Sequence, residues 1–287
     1  MSNDDFQDWV GREEVRTELI GQDAVLRMAA TLGVAPPADD TLPAGWHWLF
    51  FNPVVAADQL GEDGHPARRP GAGILPPVPL ERRMWAGSRV EYLAGVPVGA
   101  MATRRSLLQR VTFKEGRAGR ICFVSVLHQL EVQGRVCIRE AQDIVYKAAT
   151  PVPAVPAAAS ASTPAVPIPD AEWMSTITPD PVLLFRYSAL TFNGHRIHYD
   201  LPYAREVEGY PSLIVHGPLT ATLLQDFAAR AAPAQRLQGF DFKATHPLYV
   251  DEPMHLRAWQ EADQRVLKVF NDHGTLAMQA TARTVAA

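Results

Sequence analysis

Cysteine is scarce in this chain, with two in 287 residues. Cys122 lies in "RICFVSVLHQLEV" and Cys137 in "GRVCIREAQDIVY". A tight turn at Gln133-Gly134 would set Glu131 against Val136 and Leu130 against Cys137. Cys122 then falls eight positions further along, about 26 Å away at about 3.3 Å per residue. A disulfide needs α-carbons within about 7 Å, so two reduced, packed thiols are expected. Long apolar runs are also missing: none approaches the roughly 20 residues that cross a bilayer. The opening "MSNDDFQDWVGREEV" lacks the basic and apolar regions of a signal peptide. A cytoplasmic location with no membrane partner is expected. Positive charge is not in excess, and the net charge of −4 with a pI near 6.1 argues against nucleic acid as a partner. There is no CxxC, no HExxH, no P-loop and no GxGxxG after a strand. His195 and His198 have the spacing of a metal pair, but the sequence offers no third ligand, and no metal is expected. The hydroxyls of "RYSAL" and "YPSL" lack a nucleophile-elbow context.

What the chain does have is apolar content for a core, 47% hydrophobic residues against 20% charged. Its length is comfortable for two domains. The clearest boundary is "TPVPAVPAAASASTPAVPIPD", residues 150–170, where six prolines alternate with Ala, Ser and Val. Such a stretch holds neither helix nor central strand and should run as a semi-extended tether. It divides the chain into 1–149 and 171–287.

The two parts share an outline. The first has a helical candidate at 21–33, with Val25, Leu26, Met28, Ala29 and Leu32 on one face. From about residue 88 follow long β-branched runs, "LLQRVTFKEG", "GRICFVSVLHQLEV" and "GRVCIREAQDIVYKA", separated by Gly-containing turns. The second has a helix in "VHGPLTATLLQDFAARAA" and three strand candidates: "LQGFDFKATHPLYV", "EPMHLRAWQEAD" and "VLKVFNDHGTLAMQATART". Helix followed by antiparallel meander, twice, predicts an α+β fold with a helix wrapped by a curved sheet in each half. Residues 36–85, rich in Pro and Gly, read as a long loop of the kind more often functional than idle.

The densest chemistry is "ALTFNGHRIHYD", residues 189–200, which gathers Asn193, His195, Arg196, His198, Tyr199 and Asp200. Asn193-x-x-x-x-His198, followed by "VHGPLTATLL", resembles the MaoC-like hydratases and dehydratases of the hot-dog fold. With "RRMWAGSRVEY" in the first half, the wording is similar to the branch of double hot-dog type 2 hydroxyacyl-thioester dehydratases and mesaconyl-CoA and itaconyl-CoA hydratases. The resemblance implies a double hot-dog fold with joined sheets and the catalytic motif in the second half. The first half would be a non-catalytic repeat that shapes the acyl pocket. It also implies a CoA-thioester substrate, no cofactor and the possibility of a homodimer. The family's first motif position is usually Asp. Here it is Asn193, so an Asp–His dyad does not carry over intact.

Hydration of an enoyl thioester needs a base for water, an acid for the α-carbon and a group for the thioester oxygen's growing charge. His198 is the expected base, since a histidine with an ordinary pKa of about 6.5 works at neutral pH. Asn193 cannot titrate, but its amide can hold the water or orient the imidazole. Gly217 precedes Pro218, so its N–H is expected at a helix mouth that favours negative charge. Against these stand plainer readings: a polar loop for His198 and an ordinary helix start for Gly217-Pro218. His216 either touches substrate or hydrogen-bonds the preceding loop. His195, Arg196 and Arg186 are further substrate-binding candidates, with local ion pairs as the rival for the arginines; Tyr199 and Asp200 would orient neighbours. A carboxylate-bearing acyl group needs a cation, and "LERRMWAG" offers Arg82 and Arg83 beside Trp85. The leading expectation is hydration of a short branched dicarboxylic enoyl-CoA. The alternatives are dehydration of a fatty 3-hydroxyacyl thioester, a thioesterase relay through Asp226, and an acyl-CoA-binding protein whose site has decayed.

Overall fold

The computed structural model describes residues 6–69, 73–116, 119–149 and 166–286. Its contacts separate into two units, residues 1–149 and 150–287. Residues 150–165 of the expected tether lie outside the described residues. Residues 166–170 are held by the second unit. The Val166 N–H donates to the His273 carbonyl, and the Pro169 and Asp170 carbonyls accept from Arg257 and Trp259.

The first unit contains β1 (Glu13–Leu19), α1 (Gln22–Leu32), β2 (Arg82–Tyr92), β3 (Met101–Gly116), β4 (Gly119–Val132) and β5 (Arg135–Lys147). Its strands lie in the order β1-β3-β4-β5-β2, with every pair antiparallel. The β4–β5 turn is built as the sequence suggests. Gln133 and Gly134 both take positive φ, 51° and 78°, the pair of angles that matches the twist of two adjoining strands. Glu131 faces Val136 as expected, but Leu130 faces Ile138 rather than Cys137. A bulge between Leu130 and Glu131 absorbs one residue. Cys122 faces Tyr146, and both thiols are buried and unbridged.

The second unit contains β6 (Trp173–Ile177), α2 (Pro181–Leu190), α3 (Leu201–Glu206), α4 (Gly217–Ala231), β7 (Gln235–Ala244), β8 (Met254–Glu261), β9 (Gln264–Asn271) and β10 (Leu276–Ala286). The run "VLKVFNDHGTLAMQATART", expected as one strand, is two. The chain reverses at Gly274, whose φ is +76°. Its strand order, β6-β8-β9-β10-β7, repeats that of the first unit element for element. Alternation explains the pairing faces: Met254, Leu256 and Ala258 of β8 are buried while His255 and Arg257 are not.

The units differ in the helix that the strands surround. In the second, α4 lies against β7, β8, β9 and β10. Nearly all of its circumference is buried, from Leu219 through Ala228, as befits a helix with no solvent face. Its start is tied to the β7–β8 loop, through Val215 N–H to the Leu248 carbonyl and Val250 N–H to the Leu213 carbonyl. The first unit repeats this tie with Leu42 to Val96 and Val98 to Asp40. "LPAGWHWLFF" therefore stands where "VHGPLTATLL" stands in the second unit. There the helix is one 3-10 turn, Trp46–Leu49. The expected helix, α1, corresponds by its place in the chain to α2. It buries Val25, Met28 and Ala29 and stops at Gly33, whose φ of 67° suits glycine. The loop read over 36–85 is irregular to residue 81 and yields to β2 at Arg82. Trp46, Leu49, Phe50 and Phe51 in it belong to the core.

Candidate active site

The polar run folds into a loop between two short helices. Asp180 caps α2, accepting from the Leu183 N–H at 2.7 Å, with Pro181 in the first turn. The helix ends at Thr191, and Phe192 takes a left-handed φ of 49° that turns the chain. Asn193 follows. Its side-chain oxygen accepts from the His195 N–H at 3.0 Å, and its own N–H donates to the Ser188 carbonyl. A local turn of this kind is what Asn does well. Arg196–His198 then form one 3-10 turn, and Asp200 caps α3.

Three of the expected functional histidines meet here. His198, only 7% exposed, directs Nδ1 at the Ile214 carbonyl, 2.7 Å away. A carbonyl only accepts, so Nδ1 carries the proton and proton acceptance falls to Nε2. Ile214 also donates its N–H to the Ile197 carbonyl at 3.0 Å, so one residue holds two adjacent residues of this turn. The ring of His216 stacks on that of His198, with centroids 3.6 Å apart and planes 21° apart. The ring of His195 stands perpendicular to His198 at 5.5 Å.

His216 is the residue just before α4, with Gly217 and Pro218 beginning the helix. It is fully buried, and its Nε2 lies 2.8 Å from Ser188 Oγ on α2. Its Nδ1 is buried without a hydrogen-bonding partner among the described residues. Burial, reinforced by His198 and His195, holds its pKa well below the usual histidine range. His216 is therefore a neutral ring under His198. The Tyr187 ring lies tilted against His216 at 5.0 Å, and its hydroxyl, bonded to Thr222, has its pKa raised by burial.

The arginines of this unit have local work. Arg196 pairs with Asp200 through Nε and Nη2 at 2.9 and 2.7 Å and lies over the Tyr203 ring. Arg186 is exposed on α2. In the first unit, Arg83 is half-buried and bonded to Tyr146, and Arg82 is buried. Trp85 donates to Ser88 Oγ at 2.9 Å, which joins it to a polar cluster that sequence reading missed. At its centre is Glu140, 4% exposed. It accepts from Ser88 Oγ at 2.6 Å, Trp48 Nε1 at 3.0 Å and His47 Nε2 at 3.1 Å. Burial pushes this carboxyl up, but the bond and charge of His47 outweigh it and hold the pKa down, at about 2. The signal available in the sequence was "GWHWLFF", a histidine between two tryptophans inside a loop.

A family model for hydroxyacyl-thioester dehydratase type 2 matches residues 45–250. The chain belongs to this family. The match takes in both the "GWHWLFF" segment and the motif around His198. A mesaconyl-C(4)-CoA hydratase from Chloroflexus aurantiacus is 42% identical over 98% of each chain. Among solved structures, a MaoC-like dehydratase from Phytophthora capsici superposes with a TM-score of 0.68 at 14% identity, covering all of both chains. A Mycobacterium tuberculosis protein described as a double hot dog covers 96% of each chain, with a TM-score of 0.57 and 14% identity. The fold is the double hot dog, as the motif implied. Among the described residues, no helix of this dehydratase-family chain is long and apolar enough to cross a membrane.

Proposed function

We propose that the protein reversibly hydrates an enoyl-CoA thioester, with a short branched dicarboxylic acyl group of the mesaconyl or itaconyl type as its substrate. The observation that carries this reading is the full-length similarity to a mesaconyl-C(4)-CoA hydratase, together with the geometry around His198. In the proposed reaction His198 Nε2 takes a proton from water, and the oxygen adds to the β-carbon. The thioester oxygen gains charge at the N-terminal end of α4, where the Gly217 N–H and the helix dipole favour it. The imidazolium then returns its proton to the α-carbon. Water is consumed, the double bond is lost, and His198 is restored without a second acid. This cycle suits a loop in which Asn193 stands at the family's usual Asp position.

His216 acts in this reading as the neutral platform under His198, not as a proton donor. Asn193 shapes the turn through His195. The chemistry needs no cofactor, and a cytoplasmic homodimer is part of the same proposal. A screen of enoyl-CoA esters, following loss of the conjugated thioester absorbance, tests the activity. Turnover of mesaconyl-C(4)-CoA well above that of straight-chain esters is expected. The family's description favours a second reading, dehydration of 3-hydroxyacyl thioesters, and preference for long straight chains in the same screen would select it.

A further inference from the structure

The first unit holds a histidine–carboxylate pair that the reaction above does not use. His47 gives Nε2 to Glu140, so that nitrogen carries a proton. Its other ring nitrogen, Nδ1, is buried and has no hydrogen-bonding partner among the described residues. Arg104, on β3, donates Nη2 to the Phe51 carbonyl at 2.8 Å, while its Nε is likewise buried without a partner. Both residues line one recess, whose remaining walls include the buried side chains of Phe51, Leu130 and Ile138. Glu140 has three donors already and is not seeking another. His128, also lining it, uses both nitrogens, on Ser106 and Gln142.

A buried polar atom left without a partner is costly, so the Arg104 Nε donor and the His47 Nδ1 lone pair, facing one recess, ask for a ligand that meets both. The chemistry narrows the choice. A carboxyl group fits this arrangement: one oxygen accepts from Arg104 Nε, and the other shares the acid's proton with His47 Nδ1. Bare anions have no use for the apolar walls, but the methylenes of a short acid do. We propose that this recess binds the carboxylate of a short aliphatic acid through His47 and Arg104, with Glu140 as the residue that positions His47.

That carboxylate can come from a free acid or from the far end of a dicarboxylic acyl-CoA. The second source rests on the hydratase reading, whereas the chemistry of the recess does not. Binding should tighten as pH falls, because the acid enters together with one proton. The charged or titratable groups around that ring and its partners are Glu140, His128, Arg104, Tyr92, and Glu14, Arg16 and Glu18 of β1.

The test uses the full-length protein with 15N-labelled histidine and three probes that cannot be hydrated: butyrate, butyryl-CoA and succinyl-CoA. Butyrate should move the His47 ring signals, more strongly at pH 6 than at pH 8. Succinyl-CoA should bind roughly tenfold or more tightly than butyryl-CoA if the acyl end is the source. Losing a hydrogen bond to a charged group commonly costs that much, so Arg104→Met should abolish either effect and Arg104→Lys should keep part of it. If Arg104→Met does not fold, the His47 signals of the unaltered protein decide alone. Signals that ignore all three probes, or Arg104→Met binding within twofold of the parent, overturn the proposal and leave a water site. Carboxylate binding through Arg104 in a protein that hydrates no enoyl-CoA would keep the recess and remove the hydratase reading.

Discussion

His198 and His216 lie face to face, 3.6 Å between ring centroids, and burial keeps His216 neutral. A neutral ring can lie against a base that must gain and lose a proton; a second cation there would oppose each turnover. The pair is therefore a base and its support, held by one carbonyl at Ile214 and one hydroxyl at Ser188.

His198→Asn is the direct test of the base. Asn retains a donor for the Ile214 carbonyl and occupies much of the same space, so the fold should persist. Loss of a general base typically costs about 10²–10⁴-fold in rate. Enoyl-CoA hydration should fall by that much with the thermal midpoint little changed. A variant retaining most of its kcat would move the base elsewhere, with His195 next in line.

Ser188→Ala removes the hydrogen-bonding partner of His216 Nε2. A buried ring would then have both nitrogens unsatisfied, at a cost of about 1–3 kcal/mol. Denaturant unfolding should register that loss. Turnover should also fall, because the ring under His198 is freed to tilt; Ser188→Thr should recover part of both.

Asn193→Asp restores the family's usual residue while retaining an oxygen for the His195 N–H. The turn should survive. The added negative charge in the His198 loop favours the imidazolium and raises the pKa of the base. Hydration near neutral pH should slow, with the rising limb of the kcat/KM profile displaced upward. A faster variant with an unmoved profile would mean that the parent lacks an acid it needs.

Stability should depend steeply on mild acid. Burial lowers His65 and His128 to a pKa of about 4 and holds His216 well below 6.5. In the unfolded chain each takes up a proton below about 6.5, while the folded chain does not. Stability is full above that pH and falls as pH drops from 6.5 towards 4. Each such histidine contributes a slope of up to about 1.4 kcal/mol per pH unit. Urea unfolding at pH 7 and pH 5 should reveal the loss, and a flat profile would contradict neutral burial. Glu140 works at lower pH. Its stabilisation is present above about pH 4.5 and is lost as pH falls through about 2.

Much of this protein was legible in its residues. β-branched runs between glycine turns marked β3, β4 and β5, because alternation and turn chemistry act over neighbouring residues. Val25, Met28 and Ala29 marked α1 by spacing alone, and Asn193, His198 and Gly217 stood out because their residue types carry chemistry in a familiar order. Local pattern could not say which helix its sheet would surround. That depends on which segment fills the space between strands far apart in sequence, and in the first unit one 3-10 turn at Trp46–Leu49 does so. Nor could it distinguish a substrate arginine from Arg196, whose partner Asp200 depends on the turn between them. The stacking of His216 on His198 and the meeting of His47 with Glu140, 93 residues apart, exist only once the strands pair. Such contacts are fixed by sheet register and by burial, which makes an unpaired polar group costly. Neither quantity is written in any short stretch of the chain.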